Sequence, residues 1–171
     1  MQRIRPVAPG THPEYLYPAY RSTTTRAPRQ ALIALPQSQE HVSVAECTPA
    51  LLRSNDTDLT AQSTQRPLGE RIIVAGRVID EDGAPVRNSL IEVWQCNAAG
   101  RYAHRGDQHD APLDQHFPGY GKMLTDEQGC YRFVSIKPGA YPWGNHSNAW
   151  RPAHIHFSLF GNAYAQRLIT Q

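Results

Sequence analysis

The sequence predicts an all-β chain, an antiparallel β-sandwich carrying an irregular N-terminal arm. Three observations lead there. From Arg71 onward the apolar, β-branched stretches are short. Clusters of Asp, Gly and Pro separate them. No long stretch shows the 3.6-residue periodicity of an amphipathic helix.

The elements follow in order. Residues 71–80 read as the first strand, closed by the turn Asp80-Glu81-Asp82-Gly83-Ala84-Pro85. That acidic turn lacks the later ligands of a calcium loop, so it reads as a plain turn. Residues 90–95 form the next strand. The turn Thr125-Asp126-Glu127-Gln128-Gly129 precedes an alternating strand over 130–136. Residues 152–160 and 167–170 complete the set. No internal repeat or low-complexity tract occurs.

The organisation expected is an arm over residues 1–68 and a sandwich core over 69–171. The arm is rich in Pro, Thr, Gln and Arg, and its composition alone would suggest disorder. Ala31-Leu32-Ile33-Ala34-Leu35 and Tyr15, Tyr17 and Tyr20 argue that it packs on the core or on a partner chain. A short helix over 40–47 or 49–53 fits the local pattern.

Composition excludes several classes. The net charge of +2 with scattered arginines gives no nucleic-acid footprint. The 3 cysteines, Cys47, Cys96 and Cys130, are odd in number and form no Cys-x-x-Cys, so neither a disulfide framework nor a zinc knuckle is indicated. Reduced thiols fit a cytoplasmic protein. The start Met1-Gln2-Arg3-Ile4-Arg5-Pro6 has no apolar leader core, and no apolar run is long enough for a membrane span.

The chemistry concentrates near the C-terminus, in Arg151-Pro152-Ala153-His154-Ile155-His156-Phe157-Ser158-Leu159. Alternate residues of a strand share a face. His154 and His156 therefore project together, with Ile155 and Phe157 on the opposite side. Paired imidazoles suit a metal. Taken alone, such a pair is more often structural or exposed. Lys137-Pro138-Gly139-Ala140-Tyr141-Pro142-Trp143 is a rigid turn fixing Tyr141, and Gly100-Arg101-Tyr102-Ala103-His104 is a second turn carrying Tyr102. A tyrosine in such a setting is usually a packing residue. If all four converge, they make a site without carboxylate or thiolate, a donor set that points to ferric iron.

Several longer motifs occur in a recognisable order. They are residues 70–78, Glu92-Val93-Trp94-Gln95, Gly100-Arg101-Tyr102, Ala111-Pro112-Leu113-Asp114, and residues 137–143, 150–159 and 166–171. Upstream stand Tyr20-Arg21-Ser22-Thr23 and residues 26–33. In these segments the chain resembles the intradiol ring-cleaving dioxygenases, and among them the iron-bearing β chain of a two-chain enzyme. The likeness is weakest over 40–65. It implies a sandwich of the intradiol type and relatives that continue past the position of Gln171. The C-terminal part of the core would then be missing here, leaving an exposed sheet edge and an incomplete wall.

The resemblance also assigns roles. Tyr102, Tyr141, His154 and His156 are the implied ligands of one non-haem Fe(3+), with Tyr141 and His156 axial. A phenol with a pKa of about 10 is neutral at pH 7, but a trivalent cation favours its anion. Tyr141 is the ligand expected to leave and accept a substrate proton. Arg151 is expected to lie against the ring and stabilise developing negative charge. Gln171, Trp94 and Trp143 are implied substrate-site residues, although the two tryptophans read equally well as core. Tyr20, near Arg26, is implied in binding a substrate carboxylate. The implied reaction joins 3,4-dihydroxybenzoate and O2 to give 3-carboxy-cis,cis-muconate, with a homologous α chain as partner. His104, His109, His116 and His146 are expected at the surface or in support. Tyr120, Tyr131 and Tyr164 are expected to pack.

Three rival readings remain. An intradiol enzyme for catechol or hydroxyquinol would carry a helical N-terminal region, which this arm does not suggest. A cupin would need a glutamate ligand soon after His156. A non-catalytic β-sandwich binding module explains the strands but not the placement of both tyrosines.

Overall fold

The computed structural model describes residues 14–31, 33, 52–161 and 167–171. The helix expected over 40–47 or 49–53, most of the run 31–35, Cys47 and Tyr164 lie wholly or largely outside these residues. Among the described residues the helix content is one turn, α1 (Thr23–Arg26). Eight strands follow: β1 (Arg71–Arg77), β2 (Leu90–Trp94), β3 (Tyr120–Leu124), β4 (Cys130–Ile136), β5 (Tyr141–Pro142), β6 (Trp150–Arg151), β7 (His156–Phe160) and β8 (Arg167–Thr170).

The strands form three antiparallel sheets. β1 pairs with β4, β5 pairs with β6, and the largest sheet has the order β3-β2-β7-β8. Strand β1 alternates between exposed and half-buried positions, as a strand with one face on a core must. Ile91 and Val93 of β2 and Phe133 and Ile136 of β4 are buried together with Leu59, Phe117 and Met123. Phe157 of β7 meets Phe133 at 6.1 Å between ring centres. The β1-β4 sheet thus packs face to face on the β2-β7 sheet, which is the predicted sandwich. Truncating Phe133 to alanine would cost about 3–5 kcal/mol.

One buried polar group ties the two sheets. Gln95 is 2% exposed. Its Nε2 donates to the Ile136 carbonyl at 2.7 Å, and its Oε1 accepts from Ser135 Oγ at 2.7 Å. A satisfied amide of this kind locks the register where an unsatisfied one would be costly.

The turns behave as the sequence predicts. Asp80 Oδ1 accepts from the Asp82 and Ala84 amides, and Asp126 Oδ1 accepts from Gln128 and Cys130. Strand β3 and the two-residue strands β5 and β6 were not foreseen. The first strand stops at Arg77, and the seventh begins only at His156. Pro152, which has no amide hydrogen to give a ladder, directly follows β6 and keeps residue 152 out of a strand.

By internal contacts the chain divides into two compact units, Met1–Ser38 with Trp143–Ala149, and Gln39–Pro142 with Trp150–Gln171. The second holds all eight strands. In the first, the Arg26 guanidinium lies 5.5 Å from the centre of the Trp143 ring, and Thr23 Oγ1 donates to the Tyr17 carbonyl at 2.7 Å. No helix of the described residues is long and apolar enough to cross a membrane.

Candidate metal centre

Strand parity builds half of the site. Ile155, Phe157 and Leu159 pack against the core. His154 and His156 therefore face the other way, and their Nε2 atoms lie 3.2 Å apart. In the ladder Trp94 of β2 stands opposite His156, and the two rings stack at 4.9 Å and 6°. That stacking fixes the imidazole plane.

Tyr141 and Arg151 arrive together because β5 pairs with β6, residue against residue. Tyr141 Oη lies 3.2 Å from His154 Nε2, and Arg151 donates to Tyr141 Oη at 3.0 Å. Arg151 also donates to Gln171 Oε1. Tyr102 completes the group, its ring edge-on to Tyr141 with centres 5.5 Å apart.

Hydrogen bonding sets the state of these groups. His154 Nδ1 lies 2.6 Å from the Pro152 carbonyl. A carbonyl only accepts, so Nδ1 carries a proton, which leaves Nε2 as the atom His154 can offer a metal. Burial, then the neighbouring His154 and Arg151, pull the His156 pKa down to about 4, so it is neutral at pH 7. Burial and the adjacent Tyr141 push the Tyr102 phenol well above its ordinary range. Its hydroxyl is buried with no hydrogen-bond partner. A buried, unpartnered oxygen against Tyr141, whose own hydroxyl meets the His154 Nε2 lone pair, is an environment a cation would satisfy. The donor set of two phenols and two imidazoles therefore fits a ferric ion. No group of three His, Cys, Asp or Glu side chains suited to a metal occurs among the described residues, so this site depends on its tyrosines.

A cavity of about 740 Å³ adjoins the site. Tyr102, Tyr141 and Trp94 line it, as do His104, Asp107 and His109. His104 and His109, expected at the surface or in support, thus border the space beside the candidate ligands. His109 also packs edge-on against Trp150 at 5.8 Å.

Residues that the motifs did not single out shape the Tyr102 loop. Asp107 accepts from the Tyr102 amide at 2.7 Å and from the His109 amide at 2.8 Å. Burial raises its pKa, but those two amides and the Arg101 charge outweigh it and hold the carboxyl below the usual range. Arg101 donates to the carbonyls of His109, Ala111 and Asp107, stitching the loop from within. An Asp five residues after the tyrosine, with a His two further on, was the available signal.

The fold therefore brings together Trp94, Tyr102, Tyr141, Arg151, His154, His156 and Gln171. Tyr20 and Trp143 lie in the first compact unit, where Tyr20 is 53% exposed and its carbonyl accepts from the Thr23 amide at 2.9 Å.

Comparison with known proteins gives the same direction. Residues 48–171 match the dioxygenase family, and residues 6–38 match the N-terminal segment of the protocatechuate 3,4-dioxygenase beta subunit. The chain is 55% identical to a protocatechuate 3,4-dioxygenase beta chain of Burkholderia cepacia, over 94% of this chain and 69% of that one. It is 36% identical to a catechol 1,2-dioxygenase of Candida albicans, over 61% of this chain and 37% of that one. Among solved structures, a 3-chlorocatechol 1,2-dioxygenase of Rhodococcus opacus aligns with a TM-score of 0.55 at 28% identity, over 78% of this chain and 55% of that one. The chain thus spans about half of that structure. On the fold, the site and these matches, the chain belongs to the intradiol dioxygenase family.

Proposed function

We propose that this chain is the iron-bearing β chain of an intradiol dioxygenase that opens 3,4-dihydroxybenzoate with O2 to 3-carboxy-cis,cis-muconate. The observation carrying the reading is the convergence of Tyr141 Oη, His154 Nε2 and His156 Nε2, each next to another at 3.2 Å, beside the unpartnered Tyr102 hydroxyl. The preference for a carboxylated catechol rests on the 55% identity to a protocatechuate enzyme, against 36% to a catechol enzyme.

Tyr102, Tyr141, His154 and His156 would hold the metal. A ferric ion held there would supply Lewis acidity toward a diol bound as its dianion. The protein groups then have distinct tasks. Tyr141, as a phenolate, would take a catechol proton, and Arg151, 3.0 Å away, favours the anionic state of whatever oxygen it faces. Gln171 holds the far side of the same guanidinium and limits its rotation. Trp94 orients His156 by stacking and walls the cavity. For Tyr20, a role with the ring carboxylate rests on the family resemblance alone.

The relative's designation as a beta chain supports an α-chain partner, and the apolar side chains Tyr15, Leu16 and Tyr17, all at least half exposed, would be covered by it. The test is to express the chain with its α partner, quantify iron, record the visible spectrum and identify the product with labelled O2. One iron per chain, a tyrosinate charge-transfer band and both labelled atoms in a dicarboxylic acid are expected. A yellow semialdehyde would overturn the intradiol assignment.

A further inference from the structure

Asn97 stands between β2 and the Tyr102 turn and is 4% exposed. Every polar atom it owns is used. Its Oδ1 accepts from the Ala99 and Arg101 amides, each at 2.9 Å. Its Nδ2 donates to the Pro112 carbonyl at 2.9 Å. Its amide donates to the Arg101 carbonyl at 2.9 Å, and its carbonyl accepts from Gly100 and Gly139, both at 3.0 Å. One side chain thus joins the two ends of the loop that carries Tyr102. The same residue's carbonyl grips the turn that carries Tyr141.

The two turns also touch directly. A Cβ on Gly139 would lie 2.5 Å from the Ala98 carbonyl oxygen and the Gly100 nitrogen, and one on Gly100, whose φ is +80°, would lie 2.1 Å from the Ala140 carbonyl oxygen. Only glycine permits this approach. The contact falls two residues from Tyr102 on one side and two from Tyr141 on the other.

We propose that Asn97 is a positioning residue that sets the spacing of the Tyr102 and Tyr141 phenols through these two turns. It reaches neither metal nor substrate. This inference rests on the metal reading above. The residue type matters: asparagine alone offers an acceptor for two amides and a donor for a carbonyl at this size. Aspartate keeps the acceptor and loses the donor. Alanine loses both and leaves the Ala99 and Arg101 amides and the Pro112 carbonyl without this partner.

The test uses the intact two-chain enzyme with Asn97→Ala and Asn97→Asp, and Asp126→Ala as a control that loosens a turn elsewhere. Iron affinity is measured by chelator competition, and the tyrosinate charge-transfer band is recorded alongside thermal stability. Both Asn97 variants should shift the band and weaken iron binding, by about 10–100-fold for a residue that orients ligands. The control should lower stability with an unmoved band. Hydrogen exchange on metal-free protein gives an independent reading. The Asn97 changes should speed exchange in residues 97–103 and 137–142 together, and in wild type the Gly100, Arg101 and Gly139 amides should exchange slowly. An unmoved band with wild-type affinity, or fast wild-type exchange at those amides, overturns the positioning role. Wild-type protein that takes up no iron overturns the metal reading instead, and the exchange measurement still decides the role of Asn97.

Discussion

His154 Nε2 faces His156 Nε2 at 3.2 Å, and the Pro152 carbonyl forces the His154 proton onto the opposite nitrogen. The His154 Nε2 lone pair therefore points at His156, where it can meet either an N–H of that ring or a cation. Burial disfavours a second proton on His156. A cation would take both Nε2 atoms as ligands with the His156 proton on Nδ1.

Replacing His154 by alanine should abolish iron retention. The loss should exceed the ~10–100-fold typical of a merely supporting residue, because alanine provides no donor. Iron per chain after dialysis against chelator is the measurement. Retention at the wild-type level would remove His154 from the site.

Arg151→Gln should keep the iron and slow turnover by about 10²–10³-fold, the scale of losing one electrostatic stabiliser. Tyr141→Phe, in contrast, should slow the step in which the diol binds, since no phenolate remains to take its proton. Stopped-flow mixing without O2 isolates that step. Identical binding rates in Tyr141→Phe and wild type would contradict the proton-acceptor role.

Tyr20→Phe should weaken 3,4-dihydroxybenzoate binding while leaving plain catechol nearly unchanged. Comparison of kcat/KM for the two substrates reads this directly. Equal losses on both would place Tyr20 outside carboxylate recognition.

Tyr120 gives a prediction on stability rather than catalysis. Burial and the Glu92 carboxylate, which accepts from Tyr120 Oη at 2.9 Å, push its pKa up to about 12. The unfolded chain would lose this proton near pH 10. Between these values the unfolded state binds fewer protons, so the contribution is complete below pH 10 and is lost as pH rises through 12. The stability advantage of wild type over Tyr120→Phe should therefore shrink across that window. Denaturant titrations at pH 9 and 11 suffice, and a gap that widens would refute the assignment. The group is 42% exposed, so solvent screens the effect to a small one.

The sequence by itself determined the local features. β-Branched apolar composition marked β1, and Asp-Gly clusters gave the turns at 80–85 and 125–129, whereas β4, expected to alternate, buries four consecutive residues, 133–136. The period of two put His154 and His156 on the side opposite Ile155 and Phe157. These follow from residue types and short spacings, where covalent geometry leaves few choices. The long motifs were enough to name the family and to mark Tyr102 and Tyr141. Tertiary structure alone decided what lies between distant segments. The β5-β6 pairing that sets Arg151 against Tyr141 joins two dipeptides too short to announce themselves as strands. Trp94 meets His156 only because β2 and β7, some 60 residues apart in the chain, become neighbours in one sheet. Gln95 and Asn97 look like ordinary polar residues until burial shows their side chains also bonded to distant segments, Gln95 to Ser135 and Ile136 and Asn97 to Pro112. Such contacts depend on the register of non-local strands, and that register is fixed by the whole core rather than by any stretch of sequence.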